Sequence, residues 1–417
     1  MALNRHRYDI IIFTLFRDDN AYSSVSLSIG KEFAKQHRVF YINHPYSLKD
    51  IAQNRDNQKV QERLGDMLRL KVRYETIPEI PNLTVVVTPP TLPINWMSPG
   101  LMYDSFYKMN NRVVSTAFKQ VIQDYDIKNY IYYNCFNPFF LNSMPLSLPV
   151  QPEVNVYQCI DDLDHDAYTA RHGVRLERLS VKNSDLTLVT ATQLQQKYIG
   201  IKPETYIMNN AVDITIFKEV MFKTFEKPIE IAHLNTKIIG FTGNLDHLRI
   251  NYGLFKKIAL QHTDKTLVIV GPINCKEFYD IGLDKLPNVI TTGAKKIYEL
   301  PQYLQYFDVA IIPFAINDVT KSIYPLKINE YLAAGRAVVA TNFSEDIRSF
   351  KDSIYIGKDE SEFIQLIDVA IAENNDELKQ KRYKVGANNT WADRVEEFWT
   401  IIDKHLMARK RTTELTY

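Results

Sequence analysis

The sequence predicts an α/β protein built from two doubly wound parallel-sheet domains. Three observations carry this expectation. At 417 residues the chain is longer than one hydrophobic core usually organises. Short apolar runs alternate with segments of helical character, the β-α-β rhythm of a parallel sheet covered on both faces. That rhythm breaks between Lys218 and Thr236, where Pro228 and mixed polarity intervene, and then restarts.

The elements follow in order. YDIIIFTLF (8–16) reads as the first buried strand, SSVSLSIGKEFAKQ (23–36) as a helix and HRVFYIN (37–43) as the next strand. Ser23 and Ser24 stand at that helix start, where their hydroxyls suit capping and could equally meet a phosphate or an acceptor. Residues 49–75 are polar and charged and read as an exposed helical excursion outside the sheet. Further strands are expected at LTVVVTPP (83–90), KNYIYYN (128–134), EVNVYQCI (153–160) and LTLVTA (186–191). After the break, TKIIGFTGN (236–244), KTLVIVGP (265–272), LPNVITTG (286–293), FDVAIIPF (307–314) and RAVVATN (336–342) read as strands. GLFKKIAL (253–260), a segment near 296–306 and KINEYLAAG (327–335) supply helices. The expected domains are therefore residues 1–220 and 236–390, with 391–417 packing back on the first. Doubly wound sheets bind ligands beyond the carboxyl ends of their strands, and two such domains facing each other leave a cleft for substrate.

Composition narrows the function classes. Hydrophobic residues make up 45% and charged residues 24%, which excludes a disordered or fibrous chain. A formal net charge of +1 gives no electrostatic case for a nucleic-acid partner. Cys135, Cys159 and Cys275 match no metal or redox spacing and read as small buried hydrophobes. The apolar stretch at 8–16 is too short to span a bilayer and has no small-residue cleavage site after it. A cytoplasmic protein is expected, with peripheral contact at the inner face of the cell membrane left open. The basic cluster in HLMARKRTTELTY is too short to establish such contact. Neither half has a G-x-G-x-x-G turn after its first strand, which argues against a nicotinamide dehydrogenase.

The densest signal is SIYPLKINEYLAAGRAVVAT (322–341). Tyr324 and Pro325 precede a helix that begins near Leu326 and carries Lys327 and Glu330. A helix N-terminus offers free N–H groups and partial positive charge to phosphate oxygens, and Lys327 adds a point charge. Glu330, one turn further on, could accept hydrogen bonds from a ribose diol. An ordinary amphipathic helix with a Lys327–Glu330 surface pair would give the same pattern.

This segment resembles the donor-binding signature of the GT-B glycosyltransferases, in particular the large retaining family labelled GT4. The resemblance extends to GFTGNLDHLRINYGLFKKIA (240–259), LVIVGP, PNVITTG, NNAVDITIF (209–217) and VKNSDLTLVTATQLQQKY (181–198). These motifs stand in the family's order, over roughly residues 150–400. The nearest flavour is the subgroup of surface- and cell-wall-polysaccharide transferases that includes the teichuronic-acid enzymes. The resemblance implies two Rossmann-like domains and a nucleotide-diphosphate sugar, UDP- or GDP-linked, as donor, with no cofactor and no metal. It places Glu330 on the donor ribose, Lys327 near the diphosphate, and Gly243 and Asn244 in the turn beside the phosphates. Arg249 becomes a candidate for neutralising the leaving diphosphate, with Pro313 and Phe314 near the nucleotide. Ser322, Tyr324, Pro325 and Leu326 complete the donor-side set.

Two departures matter. The family's first motif glutamate falls on Ser322, which removes a carboxylate expected to face the transferred sugar; Asp318 lies nearby. The glycine-rich turn expected in the first domain is replaced by RDDNAYSS (17–24). In VYQCIDDLDHD (156–166), Asp161 or Asp162 falls where related enzymes place a residue beside the reacting carbon and the acceptor hydroxyl. Helix capping by the same carboxylates is the competing reading. Asp162-Leu163-Asp164 also spells a DxD pattern, common by chance and without partners that complete a metal cluster.

The expected function is sugar transfer with retention to a glycan, a lipid-linked saccharide or a small molecule, in surface-polysaccharide synthesis. The rivals are a nucleotide-sugar-binding scaffold subunit of little or no activity, motivated by Ser322, and a sugar-nucleotide epimerase on the same plan. Donor base, sugar, acceptor and oligomeric state have no sequence signature.

Overall fold

A computed structural model describes residues 5–19, 24–145 and 147–414 of the protein. Its strands are β1 (Asp9–Thr14), β2 (Val39–Ile42), β3 (Arg73–Ile77), β4 (Ile80–Val87), β5 (Tyr130–Cys135), β6 (Val154–Cys159), β7 (Leu186–Val189) and β8 (Thr205–Ile207) in one sheet. A second sheet holds β9 (Lys237–Thr242), β10 (Lys265–Val270), β11 (Val289–Thr291), β12 (Val309–Ile312), β13 (Val338–Thr341) and β14 (Tyr355–Gly357). The strand orders are β3-β4-β2-β1-β5-β6-β7-β8 and β11-β10-β9-β12-β13-β14. Setting aside the β3–β4 hairpin at the edge of the first sheet, each order reverses direction once, between β1 and β5 in the first and between β9 and β12 in the second. Those are the doubly wound switch points that the alternating apolar runs predicted.

The apolar runs form strands because both faces are covered. Ile10 to Phe13 in β1 and Val309 to Ile312 in β12 are completely buried. At about 1.5–3 kcal/mol for each large aliphatic side chain removed from water, these central strands anchor their sheets.

One expectation needs correction. Residues 49–75 do include two helices, Leu48–Gln53 and Gln58–Leu68, but Arg73 to Glu75 enter the sheet as β3. β3 pairs antiparallel with β4, so the first sheet is mixed; the second is wholly parallel. The cause is Arg63 on the second helix, whose side chain is 0% exposed. Its guanidinium lies 2.9 Å from Asp18, 3.3 Å from Asp19 and 2.6 Å from Glu75, fastening the helix to the edge strand.

The chain divides into two units: residues 1–190, 194–208 and 395–417 in the first, and 191–193 with 209–394 in the second. Residues 218–236, expected as the linker, belong to the second unit. Asn210 explains the earlier crossover. Its amide donates to the Tyr324 carbonyl, its own carbonyl accepts from Asn329, and Val212 bridges to Thr390. The closing helix Trp391–Glu414 joins the first unit from Val395 onward. There Trp399 packs on Tyr8 and His37, and Phe398 on Phe33 and Tyr133.

Candidate functional site

In the second unit the switch point gathers the ends of β9, β10 and β12 around one lysine. β9 leaves the sheet through Thr242 and Gly243, with Gly243 at φ +130°. Gly243 donates its N–H to the Val270 carbonyl, and the next turn holds Gly271 at φ +152°. A Cβ on Gly271 would stand 2.0 Å from the Gly243 oxygen, so the two turns touch backbone to backbone and only glycine fits. Tyr331, on the helix Leu326–Ala333, accepts the Thr242 N–H at 2.8 Å and so fixes that helix to the end of β9.

Lys327 in the first turn of that helix comes down on Gly243. A Cβ there would meet its Cε at 3.2 Å and its Nζ at 3.3 Å. The ammonium lies 5.5 Å from the Phe241 ring centre and 5.0 Å from Phe314, the aromatic that follows β12. Pro325 holds the N-cap position and supplies no side-chain cap, so the first N–H groups of the helix are left uncapped by a side chain. Burial pushes the Lys327 pKa down and the Arg249 charge lowers it further; Glu330 opposes both. Glu330 is itself buried, which raises its carboxyl, with Lys327 pulling the other way. The surface pair that the bare sequence allowed does not form: Glu330 is buried, Lys327 is half-buried, and the two interact at a distance.

Arg249 arrives on a turn organised by Asp246, which accepts the N–H groups of Leu248 and Arg249 and pairs with the Arg249 guanidinium at 2.6 Å. The turn is stitched to the end of β12, where Asn251 donates to the Pro313 carbonyl and Ala315 to the Arg249 carbonyl. Asn244 is held at its side-chain oxygen by Asn274.

The structure thus brings Gly243, Asn244, Arg249, Pro313, Phe314, Leu326 and Lys327 to one switch point, with Glu330 within electrostatic reach of Lys327. It turns Tyr324 inward, where burial raises its hydroxyl to about 12 and the hydroxyl bonds Asn329. Ser322 is buried and caps the short helix before it, its hydroxyl 3.5 Å from the Asp318 carbonyl. The Asp318 side chain is 81% exposed and pairs with Lys321, so the neighbouring carboxylate points to the surface. Sequence reasoning missed Phe241, Gly271 and Tyr331. A glycine directly after KTLVIV was the available signal for one of them.

In the first unit Asp161 and Asp162 part company. Asp162 is held by Lys197 at 2.6 Å and caps the N–H of Asp164, while Asp164 pairs with the same lysine at 3.0 Å. The DxD pattern is therefore a lysine clamp, and among the described residues no three His, Cys, Asp or Glu side chains are placed to share a metal ion. The Asp161 side chain is exposed just beyond β6. Ser24 caps the helix Val25–Phe33 by accepting from Leu27; Ser23 lies outside the described residues. The three cysteines are free thiols.

A cavity of about 450 Å³, which sequence reasoning did not find, opens at the first unit's own switch point. Arg17 follows β1, His44 follows β2, Thr91 lies beyond β4, and Phe139 and Phe140 follow β5. Two other cavities of about 400 Å³ sit at the amino ends of β1 and β2 and of β9 and β12, away from the strand ends where such sheets place ligands.

The chain is similar to known proteins. Residues 236–373 match the family described as Glycosyl transferases group 1. TuaH of Bacillus subtilis, whose name assigns it to teichuronic acid biosynthesis as a glycosyltransferase, is 30% identical over 164 residues, covering 37% of this chain and 40% of that protein. The match therefore spans less than half of that relative. Sucrose-phosphate synthase from Thermosynechococcus elongatus aligns with a TM-score of 0.59 at 14% identity, covering 98% of this chain and 100% of that one. HepE of Anabaena, solved in complex with UDP, aligns with a TM-score of 0.61 at 12% identity, covering 94% and 99%. At such identities the likeness is one of fold. Residues 236–373 accordingly resemble a group 1 glycosyl transferase domain, set in a chain with the GT-B fold.

Proposed function

We propose that the protein is a glycosyltransferase that takes a sugar from a UDP- or GDP-linked donor and passes it, with retention and without a metal ion, to an acceptor in surface-polysaccharide assembly. The observation that carries this reading is the Lys327 ammonium resting on Gly243 at the start of an uncapped helix. A diphosphate laid there meets that charge, the helix N–H groups and Arg249 together. Glu330 serves the ribose. In the transfer the bond from the anomeric carbon to phosphate breaks and a bond to the acceptor oxygen forms on the same face. The acceptor proton passes to the departing phosphate oxygen. Asp161, exposed just beyond β6, is assigned to orient the acceptor; Asp162 is committed to Lys197. TuaH's assignment to teichuronic acid synthesis supports the surface-polysaccharide setting.

The test is nucleoside diphosphate release from a panel of nucleotide sugars, with chelator, with and without glycan and lipid extract, and the product's anomeric configuration read by NMR. Release from one donor, raised by extract and retaining configuration, is expected. A second reading, a nucleotide-sugar-binding scaffold subunit, is favoured by Ser322, which leaves no carboxylate at the sugar position while Asp318 faces outward. Tight donor binding with no release under any condition would select it.

A further inference from the structure

The first unit's cavity holds a histidine in a mixed lining and adjoins an exposed apolar surface. Inside, His44 accepts at Nδ1 from the Asn137 amide nitrogen, 3.1 Å away. The amide's orientation is fixed, because its oxygen accepts from the Phe139 N–H and its nitrogen also donates to the Thr14 carbonyl. An acceptor at Nδ1 puts the ring proton on Nε2, which among the described residues has no partner. Burial and the nearby Arg17 hold His44 down at about 4, so the ring is neutral at physiological pH and acts there as a donor.

Next in the chain to the lining residues Asn95 and Tyr103, and at Tyr168, the surface is apolar and exposed. Trp96 is 66% exposed, Leu101 89%, Met102 65% and Tyr168 63%, and Tyr168 also lines the cavity. The segment is braced: Asn95 donates to the Tyr168 carbonyl and Arg171 to the Trp96 carbonyl. Along the helix Leu101–Asp124 the same exposed face continues through Lys108, Met109 and Arg112, at the spacing of one helical stripe. Asp104 on this helix is answered by Arg175 at 3.7 Å, whereas Lys108 and Arg112 enter no ion pair among the described residues. The stripe is thus apolar with uncompensated positive charge, the composition that seats a protein on an anionic bilayer.

Resting on the transferase reading, we infer that the Trp96–Met109 surface docks on an anionic lipid surface, and that the cavity takes the saccharide head of a lipid-linked acceptor. The His44 Nε2–H donates to a head-group oxygen, and the hydrocarbon leaves across Trp96 and Leu101. His44 is a positioning residue here, since a neutral donor takes no proton from the acceptor.

The first experiment is co-sedimentation of the full chain with phosphatidylcholine vesicles, alone and with about one third phosphatidylglycerol. Binding to the mixed vesicles is expected, reduced about tenfold or more in the Trp96→Ser/Leu101→Ser/Met102→Ser protein and by high salt. A wild type that ignores both vesicles, or a triple variant that binds as well as wild type, overturns the docking surface. The second experiment supplies the donor with lipid extract or with lipid-free glycan. Stimulation by lipid extract is expected, with His44→Phe raising KM for the extract about tenfold while KM for the donor stays put. Stimulation by lipid-free glycan alone overturns the inference and leaves the transferase reading standing. Failure of UDP and GDP to bind in calorimetry would sink that reading itself.

Discussion

Lys327 keeps an ammonium where burial and the Arg249 guanidinium both disfavour charge. A bound diphosphate reverses that balance by supplying the missing negative charge at contact distance. The sign follows. Ligand raises the Lys327 pKa from its depressed free-state value, so binding takes up a proton at any pH between the two. Affinity is greatest below the free-state pKa, falls as pH rises through it, and levels off above the bound-state value. Titrations of UDP and GDP in buffers of different ionisation enthalpy are expected to show this uptake. Lys327→Met keeps the stem between the two phenylalanines and removes the charge. It is expected to abolish the uptake and cost about 1.5–3 kcal/mol of affinity, roughly 10- to 150-fold. Unaltered affinity in that variant would place the diphosphate elsewhere. The helix carrying Lys327 was legible from its proline, lysine and glutamate. Its contact with Gly243 was not, because proximity between residues so far apart in sequence is written in the packing of Tyr331 on Thr242.

Among elements, the edge strand β3 shows why parts of the fold escaped the sequence. Arg73-Tyr74-Glu75-Thr76-Ile77 has no apolar run, and the half-buried Glu75 is matched by cations from outside the strand, Arg63 and Lys59, together with its neighbour Arg73. β8 and β14, three residues each, are too short for any periodicity. Buried central strands such as β1 and β12 declare themselves through continuous hydrophobicity, whereas an edge strand is specified by its partners. The Arg63 cluster is testable. Burial alone would raise the Glu75 carboxyl, but hydrogen bonds from Arg63 and Arg73, aided by the Arg63 and Lys59 charges, hold it at about 2. A carboxyl depressed in the folded state lends stability above its unfolded pKa of about 4.3, lost as pH falls toward the folded value. Arg63→Met strands Asp18, Asp19 and Glu75 without their shared cation. It is expected to destabilise the first unit by about 3–5 kcal/mol near neutral pH. The loss should shrink on acidification, because protonating those carboxyls relieves the unpaired charge. Urea denaturation across pH measures this; a flat difference between wild type and variant would refute the cluster's electrostatic role.

At the scale of the whole molecule, the first unit is assembled from both ends of the chain. The chain leaves it after Met208, builds the second unit, and returns at Val395. The doubly wound halves were foreseeable from the restarted rhythm, and residues 391–417 were expected to pack back on the first. The crossover could not be, since Asn210 is tied by a hydrogen bond to a tyrosine carbonyl 114 positions away. A unit closed by its last helix depends on that helix for its core. Trp399 is 1% exposed, stacks on Tyr8, tilts across His37 and meets Phe33 edge-on. Trp399→Ala opens a large cavity there and is expected to cost about 3–5 kcal/mol. The cost should be local. Hydrogen exchange read by mass spectrometry is expected to accelerate in β1, β2 and β5, which the helix meets through Tyr8, His37 and Tyr133, and to stay at wild-type rates in β9 to β13. UDP protection, if measured in the same variant, should persist around Gly243. Equal acceleration in both sheets would mean that the two units unfold as one body, and that the closing helix stabilises the whole chain, not the first unit alone.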